Sequence, residues 1–157
     1  LLIITQVTGS NRVILVPSSF YNEDCAREYL AQVVDISKDA EVNSVFMPQY
    51  DAYFIYSGDR MPELYRVLDK LGTLPEYNKI LCHWDGETLS LGIGQGKSLL
   101  LSNTYRAGDF VSVMYFVLLA LKSLQLNPEM STICFMSELS SDDKILLYHY
   151  FKSVSVL

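Results

Sequence analysis

Positively charged side chains are scarce in this chain. Lys and Arg number 12 against 18 Asp and Glu, and the formal net charge at neutral pH is -6. Binding to nucleic acid or to an anionic membrane requires clustered Lys and Arg. The composition therefore argues against a nucleic-acid-binding protein and against a protein that adsorbs to membrane surfaces.

Cysteine is too sparse and too scattered to organise the fold. Cys25, Cys82 and Cys134 are an odd number and have no close spacing. Two of them fall in predicted strands, where a free Cys usually acts as a small buried hydrophobic residue. A disulfide framework is therefore not expected, and we predict a reducing, cytoplasmic location.

Long apolar runs are absent too. No segment reaches the roughly 20 apolar residues of a membrane-spanning helix, and no signal-peptide pattern is present. We therefore predict no membrane span. Half of the residues are nonetheless hydrophobic, enough for one packed domain or two small lobes with a common core. Because the chain starts at Leu1 without an initiator Met, we expect a processed protein or part of a longer one.

The common catalytic motifs are missing. A Gly-x-Ser-x-Gly nucleophile elbow, as in many Ser hydrolases, does not occur in the sequence. The two histidines, His83 and His149, lack Cys, Asp or Glu partners at the spacing of a zinc site. We therefore predict neither a catalytic set nor a metal site.

A glycine-rich run at 92–98 has only part of a phosphate-binding motif. A phosphate loop needs Gly, four residues and Gly-Lys-Ser/Thr at the start of a helix. Leu91 stands where the first Gly belongs, and the residues after Ser98 have the pattern of a strand. The run does not match a dinucleotide-binding fingerprint either, because it lacks a third Gly at the required spacing and is not followed by a helix. We predict a hairpin turn at Gly94-Gln95-Gly96.

The first half of the chain combines short strands with two helices. One amphipathic helix follows Asn22, a favourable N-cap residue. A second begins at Pro62 and ends at Gly72. Its predicted buried stripe consists of Leu64, Val67, Leu68 and Leu71. The predicted strands lie at 1–7, 12–16, 45–47 and 52–56, with a turn at 8–11.

The second half reads strand, strand, strand, helix, strand, helix. Asp85-Gly86 between the first two strands is typical of a two-residue hairpin turn. The long helix begins near Asp109 and ends before Pro128, and Ser140 caps the last helix. The predicted strands lie at 79–84, 87–93, 97–105 and 131–136, with a final edge strand at 153–157.

Both of these helices are rich in large apolar side chains. Residues 110–121 contain one polar residue, Ser112, so we expect this helix to be buried on several sides. Tyr148, Tyr150 and Phe151 allow two interpretations. The favoured one packs the aromatic side of the last helix on the sheet, because aromatic residues bury much area. The alternative is a surface for a partner.

Several short motifs resemble one family. The strand and helix order of the second half is that of the ribonuclease H-like unit, which actin-like ATPases contain twice. The motifs are His83-Trp84-Asp85-Gly86, the segments 97–104 and 124–129, Asp109-Phe110 with Tyr115-Phe116 and Leu118, and the Val-Pro-x-x-Phe step at 16–20. Through these motifs the sequence is similar to the Bacteroidetes domain-of-unknown-function 3822 family over most of its length, best from residue 79 onward.

The resemblance implies an α/β fold of the actin-like ATPase class with a mixed sheet. We expect an N-terminal actin-like lobe at 1–78 and a C-terminal ribonuclease H-like lobe at 79–157. The first half is short of the three-stranded hairpin that the family would place at its start. The N-terminal lobe is therefore expected to be incomplete in this chain.

The resemblance also implies where a nucleotide would bind. Actin-like ATPases place an Asp and glycines in the first hairpin, where backbone N–H groups meet phosphate and the Asp helps to hold a metal. Asp85, Gly86, Glu87 and Thr88 stand there as a residual phosphate loop, without the further glycines that allow close approach.

On the adenosine side, those enzymes carry Gly-Gly after the strand that follows the long helix. This chain has Ser137 and Glu138 in that loop. We therefore predict no cofactor, and ATP with Mg²⁺ is the alternative. A ribonuclease H-type nuclease would need several converging carboxylates. The strand at 79–84 has none, and the long helix offers only Asp109.

The leading hypothesis is a catalytically degenerate actin-like module that binds a protein partner or itself. It is a scaffold or protein-binding domain rather than an enzyme. The alternative is an ATP-dependent enzyme whose missing residues lie in an absent N-terminal segment. A nucleic-acid-binding role is disfavoured by the charge.

Overall fold

The computed structural model describes residues 13–157, which form twelve regular helices and strands. The predicted strand at 1–7 and the predicted turn at 8–11 lie outside the described residues. In chain order the elements are β1 (Val13–Pro17), α1 (Ala26–Ala31), β2 (Val42–Met47), β3 (Ala52–Ser57), α2 (Glu63–Leu71), β4 (Asn78–Trp84), β5 (Thr88–Gln95), β6 (Ser98–Arg106), α3 (Phe110–Ser123), β7 (Thr132–Phe135), α4 (Ser141–Tyr148) and β8 (Ser153–Val156).

A five-stranded mixed sheet forms the second half of the protein. Its order is β6-β5-β4-β7-β8. The first three strands form an antiparallel meander, and β7 and β8 add to β4 in parallel. Parallel neighbours need crossover connections, and α3 and α4 supply them. The predicted order of three strands, helix, strand and helix is confirmed, with the predicted edge strand as β8.

The central strand β4 is covered on both faces. Ile80 and Cys82 belong to the hydrophobic cluster that includes α3 and α4. Leu81, between them, belongs to the cluster that includes α2. This alternation follows from the two-residue period of a strand. The sheet therefore separates α3 and α4 on one face from α2 on the other.

Helix α2 lies very close to β5 because that strand has glycines on the facing side. A Cβ added at Gly92 would lie 3.3 Å from Cγ1 of Val67 and 3.3 Å from Cδ2 of Leu71. The predicted stripe of α2 is confirmed, since Leu64, Val67, Leu68 and Leu71 are all buried. Part of the glycine-rich run therefore serves helix packing.

A three-stranded antiparallel sheet in the order β1-β3-β2 forms the first half. One face contributes Val13, Leu15 and Phe54 to the cluster that contains α2. Ile55 on the other face packs with Leu30 of α1. Strand β2 begins at Val42, three residues before the predicted start. Pairing with β3 extends this strand through Asn43 and Ser44, which precede the predicted strand.

The expectation that α3 is buried on several sides is wrong. Val111, Tyr115 and Leu119 are 70%, 59% and 50% exposed, and we call these three side chains the α3 stripe. Helix α3 packs on the sheet along one side, and no other part of residues 13–157 covers the opposite side. In this range no helix has the length and apolar character needed to cross a membrane.

The favoured interpretation of the aromatic residues near the C-terminus is also wrong for two of the three. Tyr148 is 57% exposed and Tyr150 is 44% exposed, whereas Phe151 is buried. The sheet-facing positions are Leu147 of α4 and Phe151, four residues later, which belong to one cluster. Two neighbouring tyrosines therefore point away from the core.

Candidate functional site

The two loops that the sequence singled out meet at one edge of the sheet. Strands β4 and β7 are parallel neighbours, so the segments that follow them lie side by side. The amide of Met136 donates to the carbonyl oxygen of Cys82 at 2.9 Å. The amide of Trp84 donates to Oγ of Ser137 at 3.3 Å. Asp85 and Ser137 therefore belong to the same local site, although they are distant in sequence.

The carboxylate of Asp85 closes its own loop. Its Oδ1 atom accepts hydrogen bonds from the amides of Thr88 at 2.7 Å and Glu87 at 2.9 Å. Gly86 has a φ of 98°, which glycine adopts without strain. The loop between β4 and β5 thus has three residues, 85–87, rather than the predicted two. Capping by the Asp side chain extends the turn by one residue.

Hydrogen bonds from its own loop stabilise the charged form of Asp85. The backbone N–H groups of Thr88 and Glu87 lower the pKa of its carboxyl group, with a smaller contribution from nearby His83. The side chain is exposed to solvent. Asp85 therefore carries a negative charge at neutral pH, and the amides of its own loop stabilise that charge.

The connection between β6 and α3 holds the Asp85 loop in place. The indole Nε1 of Trp84 donates to the carbonyl oxygen of Ala107 at 2.7 Å. The amide of Ala107 in turn donates to the carbonyl oxygen of Glu87 at 2.8 Å. Asp109 then caps α3 by accepting from the amide of Ser112 at 2.7 Å. The loop is consequently tied to the segment before α3 by the Trp84 indole and by one backbone hydrogen bond.

The adenosine-side loop has a different character. The hydroxyl of Ser137 is directed to the amide of Trp84, and Glu138 is exposed. Ser140 follows as the N-cap of α4, accepting from the amide of Asp143 at 3.1 Å. The loop therefore combines one hydroxyl that bonds the neighbouring strand with one carboxylate in solvent.

A second acidic group near this edge was not predicted. Oε1 of Glu63, in the first turn of α2, lies 3.7 Å from Nε2 of His83 and 2.7 Å from Nη1 of Arg66. Glu63 and His83 are twenty residues apart, so no local motif indicates their contact. Among residues 13–157, no three His, Cys, Asp or Glu side chains converge as metal ligands would.

The glycine-rich run lies at the opposite edge of the sheet. Gly94 pairs with Lys79 at the beginning of β4, whereas Asp85 follows the end of that strand. A seven-residue strand is about 20 Å long. The turn at Gly96 and Lys97 borders a cavity of about 410 Å³, which it shares with Tyr50 and Gly72. The hairpin is confirmed, with its turn at Gly96 and Lys97, because Gly94 and Gln95 are still paired in β5. The run does not join the Asp85 site.

A solved structure defines the class of fold. The chain resembles a crystal structure from Bacteroides thetaiotaomicron VPI-5482, described as a protein with an actin-like ATPase fold and unknown function. The TM-score is 0.75 at 15% sequence identity, and the match covers 94% of this chain and 65% of that one. The protein therefore has an actin-like ATPase fold, and it spans 65% of the length of that structure.

The family follows from the sequence of the second half. Residues 61–154 match the model of the family described as "Protein of unknown function (DUF3822)". The chain belongs to this family, and the predicted family and fold are confirmed. A search of curated proteins found no match. The assignments of 85–88 to phosphate and of 137–138 to adenosine stay predictions, as does the division of the chain at residue 78.

Proposed function

We propose that this chain is a non-catalytic actin-like module that binds another polypeptide through the outer side of α3. The observation that carries the proposal is the α3 stripe. Val111, Tyr115 and Leu119 recur every four residues and are half or more exposed. Residues at this spacing line one side of a helix. A surface of this kind is typical of a protein-binding site.

The geometry of the Asp85 loop supports a role without nucleotide chemistry. The amides of Glu87 and Thr88, which would meet a phosphate, already donate to the carboxylate of Asp85. A phosphate there would have to displace a charge that the loop itself supplies. Ser137 and Glu138 replace the small residues expected on the adenosine side. The residues present therefore do not fit Mg²⁺ and ATP in the arrangement that the fold class implies.

The alternative function is an ATP-dependent enzyme of the actin-like class. One observation favours it: Asp85 is ionised at the edge where β4 and β7 end, and Glu63 and His83 lie close by. Residues supplied by a longer protein would then complete the site. This alternative makes Asp85 the residue whose loss should abolish nucleotide binding.

A thermal-shift titration distinguishes the two functions. A ligand at 100 times its dissociation constant adds about 2.7 kcal/mol to the free energy of unfolding. We expect Mg²⁺ with ATP or ADP to leave the melting temperature of the full-length protein unchanged. A rise in the melting temperature that Asp85→Ala abolishes would establish the enzyme alternative instead.

Site-specific cross-linking tests the binding surface directly. A photo-reactive amino acid replaces Tyr115 in the full-length protein inside its own cells, and a matched variant carries it at Tyr77, which is 69% exposed. We expect protein adducts from position 115 and not from position 77. If neither position yields an adduct, the α3 stripe is not a protein-binding surface.

The proposal also covers the cellular location of the protein and the class of its partner. Cys25, Cys82 and Cys134 are free thiols, and burial raises the pKa of the Cys134 thiol to about 11. Free buried cysteines are typical of a reducing compartment, so we place the protein in the cytoplasm. The net charge of -6 supports a protein partner rather than a nucleic acid.

A further inference from the structure

We propose that the polypeptide bound at the α3 stripe is a second copy of this chain, with the two α3 helices antiparallel and crossing at Tyr115. This inference rests on the proposed protein-binding function. It commits to a two-fold symmetric pair, in which both copies use the same surface. The symmetry of the stripe, its charges and its area support this occupant.

The spacing of the stripe is symmetric about its middle residue. Val111 lies four residues before Tyr115 and Leu119 lies four residues after it, which is about 6 Å along the helix axis in each direction. In an antiparallel pair centred on Tyr115, Val111 of one copy meets Leu119 of the other. The two tyrosines meet at the two-fold axis. Each apolar side chain of the stripe therefore finds an apolar side chain opposite.

The charges at the ends of α3 favour the antiparallel direction. Lys122 is exposed and lies seven residues after Tyr115, nearly two helical turns, so it continues the stripe. Asp109 is exposed at the other end of the helix. In the antiparallel pair, Asp109 of one copy lies within one residue, about 1.5 Å along the axis, of the level of Lys122 in the other. A parallel pair would instead place like charges together.

Asp109 is charged under the conditions in which the pair would form. The backbone N–H of Ser112 lowers the pKa of its carboxyl group. The carboxylate is therefore ionised at neutral pH and available to an opposite charge. Lys122 is the one basic residue within α3. It lies at the C-terminal end of the helix, which is next to Asp109 of the second copy in the antiparallel pair.

The exposed area is sufficient for a weak dimer. From the exposed fractions of the three side chains, the stripe presents about 300 Å² per copy, since large side chains present 150–250 Å² each. Ile145 and Tyr148 of α4, on the same face of the sheet, are 60% and 57% exposed. Together the two copies would bury about 1,100 Å², just under the usual range of about 1,200–2,000 Å² for stable interfaces. A reversible dimer is expected.

Disulfide trapping tests the geometry. In a Cys25→Ser background, Tyr115→Cys should form a disulfide-linked dimer under mild oxidation, because position 115 lies on the two-fold axis. Val111→Cys and Leu119→Cys should each dimerise poorly alone and cross-link efficiently when mixed. Tyr77→Cys is the matched control and should remain monomeric. Efficient linking of Val111→Cys with itself would overturn the antiparallel arrangement.

Sedimentation measures the dimer without a cross-link. The full-length protein should show a mass that rises with concentration, and Tyr115→Lys should weaken association on the order of tenfold or more, as expected for a central Tyr. Tyr77→Lys, which also replaces an exposed Tyr by Lys, should leave association unchanged. A protein that stays monomeric at every concentration overturns the second copy as occupant.

The cellular cross-link at position 115 separates the two proposals. An adduct of twice the chain mass that contains α3 peptides supports both. An adduct with a different protein, together with a monomer in sedimentation, overturns the dimer and leaves the binding function standing. No adduct and no dimer overturn both.

Discussion

Replacing Gly92 by Val should destabilise the protein because α2 occupies the space that a side chain needs. A Cβ at this position would already lie 3.3 Å from atoms of both Val67 and Leu71, and 3.5 Å from Cδ2 of Leu68. All three neighbours are buried, so they cannot move into solvent. Overpacking of this kind costs about 1–3 kcal/mol. An opposing gain from the β-propensity of Val is at most about 1 kcal/mol.

The measurement is urea unfolding of Gly92→Val beside Gly108→Val. Gly108 has no atom within 4 Å of an added Cβ and does not have a positive φ. It serves as the control for replacing glycine by a branched residue without a clash. We expect Gly92→Val to lower the free energy of unfolding by about 1–3 kcal/mol, and Gly108→Val to change it by less than about 0.5 kcal/mol.

A second substitution tests whether the contact with α2 is the cause. Val67→Ala removes one of the two methyl groups that lie 3.3 Å from the added Cβ. If Gly92→Val clashes with this side chain, the double variant should be more stable than the sum of the single changes, by about 0.5–3 kcal/mol. Equal effects of Val at 92 and 108, or strict additivity with Val67→Ala, would refute the close packing of α2 on β5.

Two further predictions concern single hydrogen-bonded side chains. The pKa of Asp85 is lower in the folded protein than in the unfolded chain, chiefly because the amide of Thr88 donates to its carboxylate. The ionised group therefore stabilises the fold at pH values above its pKa in the unfolded chain. This stabilisation is lost as the pH falls through the pKa of the folded protein. A carbon-detected NMR titration should give Asp85 a midpoint below about 3.9, the value for an unfolded peptide; a midpoint at or above it would contradict the loop geometry. Ser140→Ala removes the cap at the amide of Asp143 and should cost about 1 kcal/mol in urea unfolding, whereas Ser141→Ala should cost less; equal costs would show that Ser140 does not cap α4.

Much of the fold is predictable because its signals are local. The period of Leu64, Val67, Leu68 and Leu71 defines both the helix and its buried side. The predicted N-caps Asn22 and Ser140 each accept a hydrogen bond from a backbone amide, Asn22 at the 3-10 turn Glu23–Cys25 that leads into α1. The order of strands and helices along the second half was predictable because three consecutive strands, a helix, a strand and a helix resemble a known unit. These features depend on residues that are close in sequence.

What the sequence did not show depends on contacts between distant segments. The composition of α3 indicates burial, yet Tyr115 is exposed, because composition does not say how many elements surround a helix. The contact of Glu63 with His83 requires α2 to lie beside β4. The residues at 85–88 were placed in a hairpin, but the use of the Asp85 carboxylate to close it follows from side-chain geometry that the spacing does not reveal.

The position of α2 also bears on how the protein unfolds. Its buried residues belong to one cluster with Phe54 of the small sheet and Leu81 of the large one. Removing either sheet would leave one side of this helix in water. We therefore expect the slowest-exchanging amides of both sheets to become exposed in a single cooperative opening. Helix α2 couples the two sheets, because unfolding of either one exposes part of its buried side.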